Sequence, residues 1–312
     1  MKKYFIITID TEGDNVWNYV PNNNRLLIPN TENAKYIERF QNLCERYDFY
    51  PTYLADYEMV QSDLFCEFGK TLLMQKKGEI GMHMHAFSTP PFYKLSDVKG
   101  RGLAFAGEYP ERLLFKKMQY MTQILEECFQ VKMISHRGGR WYLDNRILNI
   151  LHKLGYLVDC TVTPGINWEQ TKGQTGKSKG SNYTKYISKP YRVKNTQLWE
   201  LPVTIYSKMK IVFGDNGLDI IKNKLWMRAN GKNINEMKKI VRRNMIEPVG
   251  YLEFMLHSSE LMPGANPTFQ TKKQIDDLYV QLDDIFSYLY EKGYQGITCS
   301  SYAKEVLNNK YK

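Results

Sequence analysis

The chain has 312 residues, 43% hydrophobic and 24% charged, the make-up of an ordinary globular protein with enough length for one barrel-sized domain or two smaller ones. No apolar run approaches the roughly 18 residues of a membrane span, and Asp10 and Glu12 interrupt the apolar stretch behind Met1-Lys2-Lys3 where a secretory signal would carry none, so a cytoplasmic protein is expected. The net charge of +10 admits an anionic partner (nucleic acid, a membrane surface, an acidic glycan or a nucleotide sugar), while five cysteines without a Cys-x-x-Cys pair argue against a disulfide framework or a zinc knuckle.

In chain order, Tyr4-Phe5-Ile6-Ile7-Thr8-Ile9 reads as a strand buried on both faces, stopping at Asp10, Glu12 and Asp14. A Pro/Asn-rich loop over 21–30 follows. Thr31 is placed to cap a helix with apolar positions at Ala34, Ile37, Phe40, Leu43 and Cys44. A short strand over 51–54, a helix through Leu72 and a strand over 79–84 come next. Residues 110–129 read as a helix opened by Pro110, 132–135 as a strand, 143–154 as a helix and 156–160 as a strand. This alternation implies a parallel sheet with helices outside it, open or closed into a barrel.

The segment 163–196, rich in Gly, Lys, Ser, Thr and Asn, breaks the rhythm and reads as a long insertion at the rim of the site. A strand over 199–205 restores it. Residues 218–246 read as one or two cationic amphipathic helices covering the barrel, with Trp226 and Met227 on the buried side; a membrane-surface helix is the alternative. A strand over 251–256, a helix over 271–292 and a strand over 296–299 complete the chain. Nothing resembles a nucleic-acid-binding motif, and the basic residues lack interleaved aromatics, so no nucleic acid is expected as partner.

A parallel strand ending in acids delivers charge to the carboxyl edge of a sheet, where α/β folds build their sites. Glu79-Ile80-Gly81-Met82-His83-Met84-His85 repeats the pattern with two imidazoles, and oxygen plus nitrogen donors suggest a divalent metal, zinc first. His83 and His85 share a strand face, so both meet one ion only if the strand end bends or the second lies in the loop; otherwise one is a ligand and the other is packed. Glu12 is a third candidate ligand, Asp10 a base beside it, Arg137 its charge-assisted partner, and His257 an acid in the right titration range. Arg140 and Trp141 are candidates for the substrate groove, as are Trp17 and Trp168 for stacking on a sugar ring.

The order of these segments resembles the polysaccharide deacetylase (NodB-homology) family, carbohydrate esterase family 4, over roughly residues 3–300. Thr8-Ile9-Asp10-Thr11-Glu12 is similar to its first motif, with one residue between the acids. Glu79 to His83 is similar to the second, with the second histidine at His85 and Phe at position 87, where the family has its own. Ser135-His136-Arg137-Gly138-Gly139-Arg140-Trp141 is similar to the third, with glycines for the usual proline. Asp159-Cys160-Thr161 stands in the place of the fourth, and Met255-Leu256-His257-Ser258 matches the fifth. Thr89-Pro90-Pro91 looks like a branch associated with lipopolysaccharide biosynthesis. The resemblance implies a distorted (β/α)7-type barrel, single-domain with a rim insertion. It further implies metal-dependent removal of N-acetyl groups from an amino sugar in a surface polysaccharide or its precursor. Asp10, Arg137 and His257 would be catalytic, and Glu12, His83 and His85 would hold the metal. A barrel that binds glycan without turnover, and a basic protein associated with nucleic acid, are the other readings. Peripheral contact with a membrane stays open.

Overall fold

The computed structural model describes residues 2–14, 30–96, 102–214 and 217–308. Its sheet is built from parallel strands in the order β10-β1-β2-β3-β4-β5-β7. These are β1 (Lys3–Thr11), β2 (Thr52–Ala55), β3 (Glu79–Met84), β4 (Ser135–Gly138), β5 (Val158–Asp159), β7 (Trp199–Glu200) and β10 (Tyr251–His257). A two-residue strand β6 (Tyr191–Arg192) runs antiparallel on β7, and β11 (Tyr294–Gly296) pairs with the start of β1. Helices α1 (Ala34–Glu45), α2 (Tyr57–Val60), α3 (Asp63–Met74), α4 (Glu111–Phe129), α5 (Asn145–Lys153), α6 (Ile234–Ile246) and α7 (Lys272–Glu291) connect the strands. The result is a curled α/β half-barrel, the barrel-type architecture that the resemblance implied and the strand–helix alternation permitted.

Strand periodicity of two divides the side chains. On β1, Phe5, Ile7 and Ile9 join the apolar layer beneath the helices, whereas Ile6, Thr8 and Asp10 belong to the other face. On β10, Leu252, Phe254 and Leu256 join that same helix layer, leaving Tyr251, Glu253 and His257 for the inside. The interior is therefore graded along its axis. Ile6, Leu54, Val158, Leu201 and Tyr251 pack around Cys299, Tyr302 and Leu307 at one end, and ionisable groups gather toward the other.

The free edge of β10 closes against the chain after β7 by mixed contacts rather than a ladder. Glu253 N donates to Thr204 Oγ1 (2.8 Å), Met255 N to Met227 O (3.3 Å) and the Tyr251 hydroxyl to Pro202 O (2.7 Å).

Three expectations are corrected. The helical cover over 218–246 is helical only at Ile234–Ile246; residues before it form an antiparallel hairpin of β8 (Ile205–Gly214) and β9 (Gly217–Trp226). The reason lies in composition: β-branched Ile205, Ile211, Val212, Ile220 and Ile221 flank Asp215-Asn216-Gly217, a hairpin turn signal that outweighs the cationic amphipathic pattern. Thr31 does not cap α1; Asn33 occupies the N-cap, with no side-chain cap bond. The strand expected over 132–135 instead begins at Ser135 and runs to Gly138. The cysteines are free, as expected, with Cys66 and Cys128 half-buried and the others buried. No described helix is long and apolar enough to cross a membrane.

Candidate metal centre and active site

Asp10 is paired with Leu54 and His257 on neighbouring strands, and His83 with Arg137, so register alone brings four of the expected residues to one end of the sheet. Glu12 and His85 each lie just beyond their strand, where the chain turns inward. Glu12 is fixed by its backbone: its N donates to Ser258 Oγ (3.1 Å), and its carbonyl accepts from Asn33 Nδ2 (2.8 Å). The carbonyl of His85 accepts from the N–H and hydroxyl of Thr89 (3.0 and 2.9 Å), which folds the following loop back onto it. The requirement that the second histidine leave the strand is met.

Glu12, His83 and His85 are buried and offer ligand atoms within 4.8 Å of one another. Glu12 Oε2 lies 3.4 Å from Nε2 of both histidines. That is too long for a good hydrogen bond and close to the roughly 3.3 Å that separates two donors on one tetrahedral ion with bonds of about 2.0–2.1 Å. His83 Nδ1 donates to Arg137 O (3.1 Å), which leaves Nε2 with its lone pair toward Glu12, the arrangement of a ligating imidazole. Burial alone would lower the His83 pKa, but Asp10 and Glu12 override it and raise it. His85 goes the other way, down to about 3, through burial and the neighbouring His83, and so is neutral as a ligand must be. Facing lone pairs with no cation between them are unfavourable, and these residues fit a divalent metal. Phe87 stacks on His85 (centroids 5.0 Å apart, 21° between planes), so the residue that departs from the family pattern braces the second histidine. Gly139 makes room for that ring: a Cβ there would stand 2.0 Å from His85 Cδ2.

Asp10 Oδ1 accepts from Arg137 Nη1 (2.6 Å). Burial would raise the Asp10 pKa, yet the Arg137 guanidinium outweighs it and holds the carboxyl well below the usual range. Arg137 is fully buried, its Nε donating to Cys160 O (2.8 Å) and its Nη2 to Thr8 Oγ1 (2.9 Å) and Glu253 Oε1 (2.5 Å). The Glu253 carboxyl is pushed by burial up to about 7 despite Arg137. With these contacts Arg137 faces Asp10 rather than open space, and Asp10 Oδ2 remains toward His257 Nε2 (3.7 Å).

A pocket of about 410 Å³ opens above this floor, lined by Asp10, Glu12, His83, His85 and His257 below and by Arg140, Trp141, Trp168 and Arg228 on its walls. Small-molecule sites commonly fall in this size range. Arg140 and Trp141 both take left-handed backbone (φ 58° and 56°), costly for non-glycine residues and a feature of constrained functional loops. The Arg140 guanidinium lies over the Phe105 ring and donates to the carbonyls of Leu103 and Lys172. Trp168 donates from its ring nitrogen to Thr163 Oγ1 (2.8 Å). Trp17 lies outside the described residues. Asp14 turns away from the cluster, its carboxylate accepting from Asn33 N (3.2 Å).

Asp159, in the place of the fourth motif, lies outside the pocket. Though it stands where the fourth motif belongs, it is wholly buried and accepts from His136 Nδ1 (2.6 Å), away from the pocket, because its strand parity turns it from the site. His257 has other neighbours. Arg228 Nη2 contacts its Nδ1 (3.0 Å), and Glu260 accepts from Arg228 (2.9 Å) and from the His257 backbone N–H (2.9 Å). Sequence reasoning missed Arg228, Glu253 and Glu260. Glu253 carried a legible signal, a lone acid inside an apolar strand with the same parity as His257; Arg228, beyond a hairpin read as helix, carried none.

The fold and the cluster define an α/β half-barrel with a candidate metal centre at the carboxyl ends of its strands. No protein-family model and no curated protein sequence matches the chain. Among solved structures, it is similar to a Mycobacterium smegmatis protein assigned as a polysaccharide deacetylase, with 14% identity, 99% of this chain and 91% of that one covered, and a TM-score of 0.59. It is also similar to PuuE allantoinase (11% identity, 97% and 89% covered, TM-score 0.57). The 4-alpha-glucanotransferase of Thermococcus litoralis matches over 97% of this chain but 38% of its own (9% identity, TM-score 0.52). At these identities the likeness is one of fold.

Proposed function

We propose that this protein is a metal-dependent hydrolase that removes the N-acetyl group from an amino sugar, in a surface polysaccharide or its lipid- or nucleotide-linked precursor. The observation that carries this reading is the convergence of Glu12, His83 and His85 beside an ionised Asp10 at the floor of an aromatic-walled pocket. The shared fold with a protein assigned as a polysaccharide deacetylase supports it.

A divalent ion, zinc first, would be held by Glu12, His83 and His85 and would supply Lewis acidity toward a carbonyl oxygen and a bound water. Asp10, kept ionised by Arg137 through Oδ1, would take the proton of the attacking water at Oδ2. His257 would present Nε2 to the leaving nitrogen, 3.7 Å from Asp10 Oδ2 and on the same pocket floor. Trp141 and Trp168 would hold the sugar by its faces.

Acetate release from N-acetylated monosaccharides, nucleotide sugars and oligosaccharides, measured with and without added Zn2+, Co2+ or Mn2+ after chelation, tests the proposal. Metal-restored release from at least one amino sugar is the expected result. Metal binding without release from any of them would favour a barrel that only binds glycan.

A further inference from the structure

Cys66 lies in the opening turn of α3 and Cys128 in the closing turn of α4, 62 positions apart, and their side chains meet. The Cys128 thiol donates to Cys66 Sγ at 2.8 Å, so the sulfurs need to close by only about 0.8 Å to reach the roughly 2.0 Å of a disulfide bond. The approach of the helices is set by other groups. Phe65 and Phe129, next in sequence to the two thiols, pack edge to face with centroids 5.8 Å apart. Gly69 leaves room for the Phe129 ring, which a Cβ at that position would strike. Both thiols are half-buried, so a small reagent reaches them. Cys160 also bonds to Cys299, at the apolar end of the barrel, but both are 0% exposed and closed to such a reagent. Contact and accessibility coincide at Cys66 and Cys128.

We infer that Cys66 and Cys128 are a dithiol modification site, oxidised by a low-molecular-weight disulfide such as glutathione disulfide to an intramolecular bond that pins α3 to α4. One thiolate attacks the reagent, forming a mixed disulfide and expelling a glutathione thiolate. The second attacks the protein sulfur of that mixed disulfide and expels the other glutathione thiolate. The protein gives up two electrons and two protons, the S–S bond of the reagent breaks, and both glutathione sulfurs leave as thiols. Burial and Cys128 push the Cys66 thiol up to about 12, so its thiolate is scarce at neutral pH and the reaction quickens as pH rises. The same raised pKa makes Cys66 a poor leaving group, so the finished bond opens slowly. The bond closes a loop that contains β3, with His83 and His85 at its end, and both pinned helices pack on that strand. The modification site stands whether or not the pocket hydrolyses an amide.

The test uses the full chain, reduced and freed of reductant, then incubated with glutathione disulfide at about pH 8.5, the pKa of an ordinary thiol. After an acid quench, thiol titration in denaturant and peptide mapping under non-reducing conditions read the product. The expected result is a fall from five thiols to three, an intact mass lower by two hydrogen atoms, and a peptide linked through Cys66 and Cys128. The thermal midpoint should rise by several degrees and return with dithiothreitol. Cys66→Ser should form no internal link and carry at most one glutathione, on Cys128. Five thiols surviving the incubation overturn the inference, as does a lasting glutathione adduct on the wild-type protein or a link between any other cysteines. A cross-linked protein with an unchanged midpoint overturns the pinning of α3 to α4. Should the Ser variant not fold, the wild-type peptide map alone decides.

Discussion

At the scale of single residues, the proposed mechanism gives holding a metal and moving a proton to different side chains. Glu12 and the two histidines bring their ligand atoms within 4.8 Å of one another, whereas Asp10 gives one oxygen to Arg137 and keeps the other toward His257. Asp10→Asn should therefore leave metal affinity close to wild type and cut acetate release about 10²–10⁴-fold, while Glu12→Gln should lose the metal itself. Calorimetric metal titration beside an acetate assay separates the two; loss of metal in both variants would place Asp10 in the metal shell. Glu253 offers a test through stability. Its folded pKa of about 7 lies above the 4.5 of an ordinary glutamate, so the folded state holds a proton that the unfolded state has released between those values. The unfolded state then binds fewer protons, and stability must fall as pH rises through that window. Glu253→Gln keeps an oxygen to accept from Thr8 and Arg137 and replaces Oε2, which has no hydrogen-bond partner. The variant should match wild type in urea unfolding near pH 5 and exceed it near pH 8. A variant less stable at both pH values would show that Arg137 needs the second negative charge.

At the scale of elements, the turn between β4 and α5 bears on whether His85 can serve the proposed metal site. Gly139 lies against that ring and against Met84 O, 2.8 Å from the position of an added Cβ, so backbone blocks one escape and the ligand blocks the other. Gly139→Ala should weaken metal binding about 10–100-fold, the range seen when the support of a ligand is disturbed, without unfolding the barrel. Adding it to His85→Ala should cost nothing further in metal affinity. Additive losses would mean that the alanine acts elsewhere. Elements of this kind differ in how plainly sequence shows them. β1 and β3 are short, largely apolar strands that lead into the candidate ligands Glu12, His83 and His85, so strand, edge and candidate chemistry coincide in a few positions and are legible. The hairpin is not: its lysines and asparagines mimic an amphipathic cationic helix, and only its β-branched residues and the turn signal at Asp215-Asn216-Gly217 say otherwise. Misreading it hid Arg228, whose partners His257 and Glu260 are about thirty positions away in sequence. Asp159 shows a different limit of sequence order. Order along the chain placed it in a motif, and strand parity, which order does not encode, turned it toward His136.

At the scale of the whole molecule, the barrel interior is a column with an apolar plug at one end, the Arg137 ion-pair layer in the middle and the candidate metal centre at the other. Removing one partner of a buried ion pair costs several kcal/mol because the other charge is stranded, so the middle layer ties the site to the fold. The plug does not carry that link. Tyr302 is 1% exposed and packs edge-on to Tyr4 (centroids 5.5 Å apart) and tilted against Tyr251 (5.3 Å), beside Cys299 and Leu307. Between it and the metal residues stand Thr8, Glu253 and Arg137, all fully buried and mutually hydrogen-bonded. Tyr302→Ala should open a cavity and cost about 3–5 kcal/mol, the range for deleting a large buried ring, lowering the thermal midpoint by several degrees. Because the polar layer is braced by its own bonds, the folded variant should bind Zn2+ as wild type does at temperatures well below its midpoint. A variant that keeps its stability would show that the plug can collapse around the missing ring. One that keeps its fold but loses Zn2+ would show that packing at the bottom of the barrel sets the geometry at the top, and the ion-pair layer would then be a transmitter rather than a barrier.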